Sequence, residues 1–324
     1  MEVFLTSNEL QAIEVQGFFA HIRPMSPPTR TRHQVLNALF GVVALPGIVG
    51  LSALPPRPEK LTRATAEAFE RHIQAKEARS EQELAGGKVF LWIDGLPEPA
   101  RSSSYASLRQ GQILIRRDPG CESAHCRTIP GGLVHDWVGI VFVPGISLPQ
   151  AIATLEDYDR DRDYYRPQVV KSKLLEQSGG DFRVFLRLRR VQITTVVLDT
   201  EYDIHYTSLD AVHAYSRSYS TRIAEVEKAG EPEERDKPVG DDHGFLWRLY
   251  SYWRFYQADG GVYVQCNAIS LTRDIPSGLG WLIRPFVESI PAESVRFTLD
   301  ATRKALENKA REELVASPKA EKSK

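Results

Sequence analysis

The sequence has little sulfur and almost no net charge. Three cysteines in 324 residues exclude a scaffold held together by many disulfides. Two methionines argue against an adaptable, methionine-rich binding groove. A formal net charge of -1 provides no basic field, which argues against a protein that binds nucleic acid. Charged residues make up 26% and aromatic residues 9% of the chain, as expected for a globular protein and not for a disordered one.

An uncharged apolar run covers residues 35–54, VLNALFGVVALPGIVGLSAL. Arg30, Arg32 and His33 precede the run, and small residues cluster near Ala53. A basic lead, an apolar run and small residues form the pattern of a cleaved secretory signal. Twenty apolar residues can also span a bilayer, so a membrane anchor remains an alternative, as does a buried helix. We expect a periplasmic or secreted protein, with a membrane-anchored one as the alternative.

The segment MSPPTRTRH begins at Met25, a normal distance upstream of such a run. We expect Met25 to be the native start, so that residues 1–34 combine a non-native lead with the basic region of the signal.

Residues 55–130 are predicted to be a helical and β-rich connector. The proline-rich stretch 55–60 indicates a stiff linker. Good helix formers dominate residues 61–84, and the helix they predict is polar over much of its surface, so we expect it to pack lightly. Short strands are predicted over 88–93 and 112–117.

Regular alternation of apolar and polar residues begins near residue 131, and we predict a single domain over 131–310. A strand over 133–143 and a helical connection over 148–165 are followed by six strand candidates, at 168–177, 182–191, 193–206, 211–223, 245–257 and 261–272. Val184, Leu186 and Leu188 alternate with arginines, which is typical of an antiparallel strand with one covered face.

A long helix is predicted from about Pro291 to Lys309, because apolar residues recur there at spacings of three and four. A long sheet and one helix with an apolar stripe predict an α+β fold in which a curved antiparallel sheet grips the C-terminal helix. Residues 311–324 are expected to form a disordered tail.

The pair Asp259-Gly260 favours a two-residue hairpin turn, which would fix the pairing of its strands. One face of that hairpin would carry large apolar and small side chains, and a helix over such a face can enclose a pocket or fill it. The predicted cross-strand pairs on this face are Phe255 with Val264, Trp253 with Cys266 and Ser251 with Ala268, with Trp247 and Leu249 continuing it. The other face is polar and aromatic and would suit solvent or a partner.

Residues 131–308 resemble the START-like, or SRPBCC, helix-grip superfamily. The resemblance is carried by the element order, by GGLVHDWVGIVFVPG at 131–145 and by WRFYQADGGVYVQCNAISLTRDIP at 253–276, followed by SGLGWLIRP at 277–285. It implies a deep hydrophobic cavity between the sheet and the terminal helix. Members of the superfamily bind lipids, sterols, polyketides, quinones or other apolar molecules, and some, such as aromatase/cyclases, are enzymes.

We therefore predict an exported protein that binds a lipid or another apolar small molecule, with membrane contact as a further expectation and without nucleic acid as a partner. The helix from Pro291, with the loop Gly278-Leu279-Gly280 before it, is the candidate gate, because the glycines of the loop permit backbone movement. A cyclase- or hydratase-like enzyme, and a structural or interaction module with a filled core, remain alternatives. The predicted ligand-binding side chains are Trp247, Leu249, Trp253, Phe255, Val264, Ala268, Val295 and Leu299.

Chemistry-bearing motifs are few. Cys121 and Cys126 in CESAHC could form a small disulfide loop, stay free thiols or, with His125, bind a metal, although structural zinc needs four ligands. The aspartates from Asp157 to Asp163 lack the glycine and glutamate of a calcium loop. No nucleophile elbow, phosphate-binding loop or dinucleotide fingerprint is present. The sequence thus indicates no cofactor, no metal and no assignable catalytic residue, and it leaves enzymatic activity undecided.

Overall fold

The computed structural model describes residues 59–118, 128–191, 195–274 and 280–316. The described helices are α1 (Arg63–Gly86), α2 (Ala100–Arg109), α3 (Leu148–Leu155), α4 (Asp161–Tyr164) and α5 (Gly280–Ala316). The described strands are β1 (Glu59–Lys60), β2 (Leu114–Arg117), β3 (Thr128–Ile129), β4 (Gly132–Pro144), β5 (Val169–Ser178), β6 (Asp181–Val191), β7 (Thr195–Ser208), β8 (His213–Glu227), β9 (Arg235–Asp236), β10 (Asp241–Asp242), β11 (Arg248–Ala258) and β12 (Gly261–Arg273).

The long strands form one curved antiparallel sheet in the order β2-β4-β12-β11-β8-β7-β6-β5. The first long strand, β4, lies beside the last, β12, and the strands between them follow by hairpin connections. Helix α5 packs over β4, β12 and β2. This arrangement confirms the predicted α+β helix grip, and each of the seven long strands predicted from alternation is present within a few residues of its expected bounds.

The concave face of the sheet, the face toward α5, holds the largest apolar cluster among the described residues. Alternate residues of β4, β11 and β12 meet α3 and α5 there, and most of these side chains are fully buried. Ser147 precedes α3 and forms a capping box with Gln150, which orients this short helix beneath α5. The described members of the cluster include Val141, Val143, Leu148, Leu155, Phe255, Val264, Cys266, Val295, Leu299 and Leu306.

The outer face of the sheet, opposite α5, is covered by the segment that precedes β4. Thr62 caps α1 by accepting a hydrogen bond from the amide of Thr65, and Phe69 and Ile73 of α1 are buried against the sheet. The predicted helix over 61–84 is therefore confirmed, but the expectation that it packs lightly is wrong. The expectation that the outer face suits solvent is wrong for the same reason.

The predicted strand over 88–93 is not formed. The Asp94 carboxylate accepts hydrogen bonds from the amides of Phe90 (3.0 Å) and Leu91 (2.7 Å), which bends the chain into a 3₁₀ turn over Trp92–Gly95. A helix, α2, follows between the two predicted strands, where no helix was expected, and its Leu108 is buried against the outer face. The second predicted strand, at 112–117, is confirmed as β2, which extends the sheet beside β4.

Helix α5 is longer than the apolar stripe predicted. It begins at Gly280 and not near Pro291, and it continues to Ala316, past the expected start of a disordered tail at 311. Proline removes one backbone donor from a helix, and here the helix continues on both sides of Pro291. Residues 1–34, the apolar run 35–54 and the end of the tail, 317–324, lie outside the described residues. None of the described helices is long and apolar enough to cross a membrane.

Candidate functional site

The predicted hairpin register is confirmed. Phe255 pairs with Val264, Trp253 with Cys266 and Ser251 with Ala268, all on the concave face. Asp259 and Gly260 both adopt positive φ angles, of 53° and 74°, as the predicted turn requires. Pairing with β4 and β8 extends these pairs into rows that cross the sheet.

One such row runs along a line of small side chains. Ala268, Ser251 and Ser218 follow one another on β12, β11 and β8, with Trp137 at one end of the row and Ile204 at the other. Trp137 and Ile204 are half-buried, as are Ala268 and Ser251. The small side chains project less from the sheet than the larger ones at the two ends of the row. We call this row of five residues the concave trough.

The concave trough contains one fully buried polar atom that is unsatisfied among the described residues. The indole Nε1 of Trp137 is buried and finds no hydrogen-bond acceptor among the described residues. The neighbouring indole, that of Trp253, donates to Ser251 Oγ at 3.2 Å. A buried donor without an acceptor costs free energy, so a bound molecule with an acceptor would gain by pairing with Trp137.

Next to the trough, α5 rests directly on the sheet. Gly139 pairs with Cys266, and a Cβ atom built on Gly139 would lie 2.6 Å from Leu299 Cδ1 and 3.1 Å from Val295 Cγ1. The absent side chain of Gly139 thus lets the helix approach the strand. At this level the space between sheet and helix is filled by protein atoms.

The predicted ligand-binding residues therefore fall into three groups. Phe255, Val264, Val295 and Leu299 are almost fully buried in the core beneath α5, so a ligand would reach them only after α5 moved. Leu249, Trp253 and Ala268 are half-buried and belong to rows at or beside the trough. Ligand contact for these seven residues remains a prediction.

The eighth residue, Trp247, lies on the outer face of the sheet and not on the concave face. It precedes the first residue of β11, so strand alternation does not apply to it. Its ring packs in the outer-face cluster with Phe69, Ile269 and Leu271, and its Nε1 donates to Asp242 at 3.1 Å. The prediction that Trp247 continues the apolar hairpin face is wrong.

Hydroxyl and carboxyl groups converge beside the trough, and no sequence pattern identified them as a set. Tyr206 of β7 shares a row with Ser216 and Trp253, and its hydroxyl accepts a hydrogen bond from the Tyr158 hydroxyl at 3.1 Å. The Tyr165 hydroxyl lies 3.0 Å from Thr302 Oγ1 of α5. We call Tyr158, Tyr165, Tyr206 and Asp161 the tyrosine–aspartate cluster.

Burial is the main cause of the pKa shifts in this cluster. It raises the pKa of Asp161 well above its usual value, and the carboxylate of Asp157 adds to that effect. Burial also raises the pKa of Tyr158, Tyr165 and Tyr206 above that of a free phenol. Burial thus favours the protonated form of each of these groups, and a protonated carboxyl or phenol can both donate and accept hydrogen bonds.

Arg190 ties α5 to the far side of the sheet. Its Nη1 donates to Ser294 Oγ at 2.7 Å, and burial lowers the pKa of its guanidinium. Strand alternation could have identified this residue, because Arg190 falls on the same face of β6 as Leu186 and Leu188. An arginine on the apolar face of a strand needs a polar partner, and for Arg190 that partner is Ser294 of α5.

Two cavities on the outer face are lined by described residues, and neither lies beneath α5. One, of about 330 Å³, lies between α1, the 88–96 segment and the sheet, and another, of about 340 Å³, lies beside α2. An enclosed cavity between sheet and helix therefore remains a prediction.

Three other predicted features cannot be placed. Cys121, Cys126 and the loop residues Gly278-Leu279 lie outside the described residues, while Gly280 is the first residue of α5. Cys266, in contrast, is a buried free thiol, and burial raises its pKa. Within the described part of the chain, no group of three histidine, cysteine or acidic side chains is arranged to hold a metal ion.

Comparison with known proteins yields remote structural likeness. No protein-family model matches the chain. No curated protein sequence matches it either. Among solved structures, a STAR-related lipid transfer protein from Xanthomonas axonopodis is 18% identical with a TM-score of 0.39, covering 60% of this chain and 98% of its own. Human STARD10 is 11% identical with a TM-score of 0.36, covering 64% of this chain and 81% of its own.

The Zhui aromatase/cyclase from Streptomyces sp. R1128 is 16% identical with a TM-score of 0.37, covering 56% of this chain and 96% of its own. These likenesses concern the fold, whose assignment rests on the strand order and on the helix that the sheet grips. The chain has an α+β helix-grip fold, in which a curved antiparallel sheet grips a long C-terminal helix.

Proposed function

We propose that this protein binds a lipid or another apolar small molecule on the concave face, in the trough beside α5. The observation that carries the proposal is the row of small side chains Ala268, Ser251 and Ser218 between Trp137 and Ile204. Apolar surface of this kind gains roughly 25 cal/mol for each Å² that a ligand removes from water, before ordering costs are subtracted.

The polar atoms around the trough support a ligand with at least one acceptor. Trp137 Nε1 has no acceptor among the described residues, and the hydroxyls of Tyr158 and Tyr206 lie at the neighbouring row. Binding sites for small molecules commonly combine an apolar wall with a few such polar groups, which fix the orientation of the ligand. A sterol-, polyketide- or lipid-like molecule with a hydroxyl or carbonyl group meets both requirements.

The proposal is tested by filling the trough. The fluorescent probe N-phenyl-1-naphthylamine should bind the full chain, and Ser251→Phe should weaken that binding at least tenfold by occupying the trough. Trp253→Ala should also change the affinity without unfolding the protein. Ser208→Phe, at an exposed position near the end of β7, is the matched control and should bind as the wild type does.

Ligand identity needs a separate measurement. Native mass spectrometry of the gently purified protein should show bound mass, and solvent extraction should release an apolar compound. If neither the probe nor a co-purified compound is bound, or if Ser251→Phe binds the probe normally, the concave face is not a ligand site and the core is simply filled.

A second candidate function is a cyclase- or hydratase-like enzyme. It is favoured by one observation: the buried hydroxyl and carboxyl groups of the tyrosine–aspartate cluster lie next to the trough. Such groups can donate and accept protons on a bound polyketide or aromatic molecule. If the protein is this enzyme, incubating it with the extracted compound should change the mass of the compound by one water, and Tyr206→Phe should abolish that change while probe binding persists.

We also propose that residues 35–54 direct export. A basic lead, the apolar run and small residues near Ala53 support this reading. N-terminal sequencing of the native protein should find a mature start near residue 54. A start at Met25 with the run retained would instead indicate a membrane anchor, and a peptide from residues 1–24 would contradict the Met25 start.

A further inference from the structure

The concave face carries a line of three serines along β8. Ser216, Ser218 and Ser220 occupy alternate positions of that strand, so their side chains share one face of the sheet. Tyr219, which lies between two of them, donates to Glu77 of α1 on the opposite, outer face. The three serines therefore face the side of α5, and Ser218 belongs to the concave trough.

Ser218 differs from the other two serines in the pairing of its hydroxyl. Ser220 Oγ accepts the amide hydrogen of Leu249 at 3.0 Å, and Ser216 hydrogen-bonds Tyr206. Ser218 is 7% exposed, and its hydroxyl has no partner among the described residues. A buried hydroxyl that has lost its water without gaining a partner costs free energy. A ligand that brings an oxygen atom to this position would recover that cost.

Ser251 adds a second hydroxyl at the same place. It pairs with Ser218 across β11 and β8, so the two side chains lie on neighbouring strands. Ser251 Oγ accepts the Trp253 indole hydrogen at 3.2 Å, which leaves its own hydrogen without an acceptor in the described part of the chain. The two hydroxyls can therefore both pair with one oxygen atom of a ligand.

A third polar group lies at one end of the trough. Trp137 Nε1 is a buried donor without an acceptor in the ranges that the structure describes. Ala268, whose side chain has no polar atom, separates Trp137 from Ser251 in the row, and Ile204 lies beyond Ser218. The trough thus has two polar positions, one at Trp137 and one at the serine pair, with apolar surface between and after them.

Sheet geometry sets the distance between these two positions. Neighbouring strands lie about 4.8 Å apart, so the Cα atoms of Ser251 and Ser218 are roughly 10 and 14 Å from that of Trp137. An extended chain of single bonds advances about 1.2 Å per bond, as the extended polypeptide backbone does. About eight to twelve bonds therefore connect the two polar positions.

We infer that the trough takes an acyl chain that carries a hydroxyl or keto group about ten carbon atoms from its head. This inference rests on the proposed function and names the ligand class of that same site. The carbonyl or carboxylate oxygen of the head accepts from Trp137 Nε1, and the mid-chain oxygen pairs with Ser218 and Ser251. The carbon atoms between them cover Ala268, and the rest of the chain lies over Ile204.

Three fatty acids of equal length test this ligand class: stearate, 10-hydroxystearate and 2-hydroxystearate. Displacement of N-phenyl-1-naphthylamine from the full chain gives the dissociation constant of each. 10-Hydroxystearate should bind at least about fivefold more tightly than the other two, because only its hydroxyl reaches the serine pair. 2-Hydroxystearate has the same composition, so hydroxylation alone cannot produce that preference.

Two variants locate the two polar groups. Ser218→Ala should reduce the affinity for 10-hydroxystearate to that for stearate, and its binding of stearate shows that it is folded. Ser208→Ala, at an exposed position near the end of β7, is the matched control and should keep the preference. Trp137→Phe should weaken all three acids about fivefold by removing the donor to the head. Trp92→Phe, which removes an indole hydrogen on the outer face, should change none of them.

The outcomes separate this inference from the proposed function. If the naphthylamine probe and stearate bind but 10-hydroxystearate binds no better, the ligand class is refuted while the trough remains a binding site. Retention of the preference in Ser218→Ala, or unchanged affinities in Trp137→Phe, would refute the class as well. If neither the probe nor any of the acids binds, the proposed function fails and this inference fails with it.

Discussion

Leu299 of α5 packs against the backbone of Gly139, in the space that any other residue would fill with its Cβ atom. That Cβ would lie 2.6 Å from Leu299 Cδ1, much less than a normal contact distance. We expect Gly139→Ala to destabilise the protein by about 1–3 kcal/mol, the usual cost of overpacking a core. The measurement is the midpoint of urea unfolding.

Gly86→Ala is the control for that prediction. Gly86 is the last residue of α1, and a Cβ built there has no atom within 4 Å. Its stability should stay the same or rise slightly, because alanine favours the helix. If Gly139→Ala unfolds at the wild-type midpoint, α5 does not rest on β4 as described.

Arg254 should hold α1 on the outer face. The residue is 7% exposed, and its guanidinium donates to the Phe90 carbonyl oxygen (2.6 Å), Ser80 Oγ (2.8 Å) and Glu83 Oε2 (2.8 Å). Arg254→Met should cost about 2 kcal/mol, since it leaves acceptors unpaired but keeps the aliphatic stem. Hydrogen exchange should rise over residues 63–86 before it rises in the central strands.

Arg296→Met, at an exposed position of α5, is the matched control and should leave both quantities unchanged. Equal exchange in α1 for wild type and Arg254→Met would show that the apolar contacts of Phe69 and Ile73 alone hold this helix.

Asp161 should make the protein less stable as the pH rises above about 4. Burial, with the Asp157 carboxylate, raises the pKa of Asp161 in the folded state, whereas an unfolded aspartate titrates near about 3.9. Above that value the unfolded state loses the proton first, so the free energy of unfolding falls until the folded state also ionises. Asp161→Asn, which cannot ionise, should therefore be more stable than the wild type at pH 7.5 and similar to it at pH 3.5.

Asp163→Asn tests whether that gain is specific to the buried carboxyl. Asp163 belongs to the same short helix, α4, but its side chain is 45% exposed. Thermal unfolding at the two pH values should show no comparable gain for this variant. An Asp161→Asn protein with the wild-type pH profile would mean that the carboxyl is solvated in the folded state.

Arg190→Leu should loosen the part of α5 that follows Pro291. The lost hydrogen bond from Arg190 Nη1 to Ser294 Oγ is 2.7 Å long and half-buried, so amide protection near residue 294 should fall several-fold, equivalent to about 1 kcal/mol. Arg189→Leu, the exposed neighbour on the other face of β6, should not change it. Equal protection in both variants would separate Arg190 from the docking of α5.

Alternation and turn chemistry predicted most of the sheet correctly. The register of β11 and β12 followed from Asp259-Gly260, because a two-residue turn leaves one way to pair the strands. Trp247 shows the limit of this reasoning: alternation holds only within a strand, and β11 begins one residue later. Side chains before that boundary are placed by their packing, in this case against Phe69 and Leu271.

Long-range contacts explain what the sequence did not predict. The segment 88–93 has a strand-like composition, yet Asp94 captures its amides and Leu91 and Ile93 pack beneath Ile140. The tyrosine–aspartate cluster likewise joins Tyr158 and Tyr206, which are 48 residues apart, and Tyr165 and Thr302, which are 137 apart. Spacing along the chain carries no information on such pairs.

Helix α1 and the 88–96 segment cover the outer face of the sheet. They therefore decide where the chain can be truncated without exposing its core. A fragment limited to residues 131–308, the span of the superfamily resemblance, would strip the cover from Tyr250, Ile269 and Leu271 and leave Arg254 without its acceptors. Such a fragment should aggregate when expressed, whereas one that starts at residue 55 keeps both layers on the sheet. The minimal folding unit is thus larger than the helix grip itself.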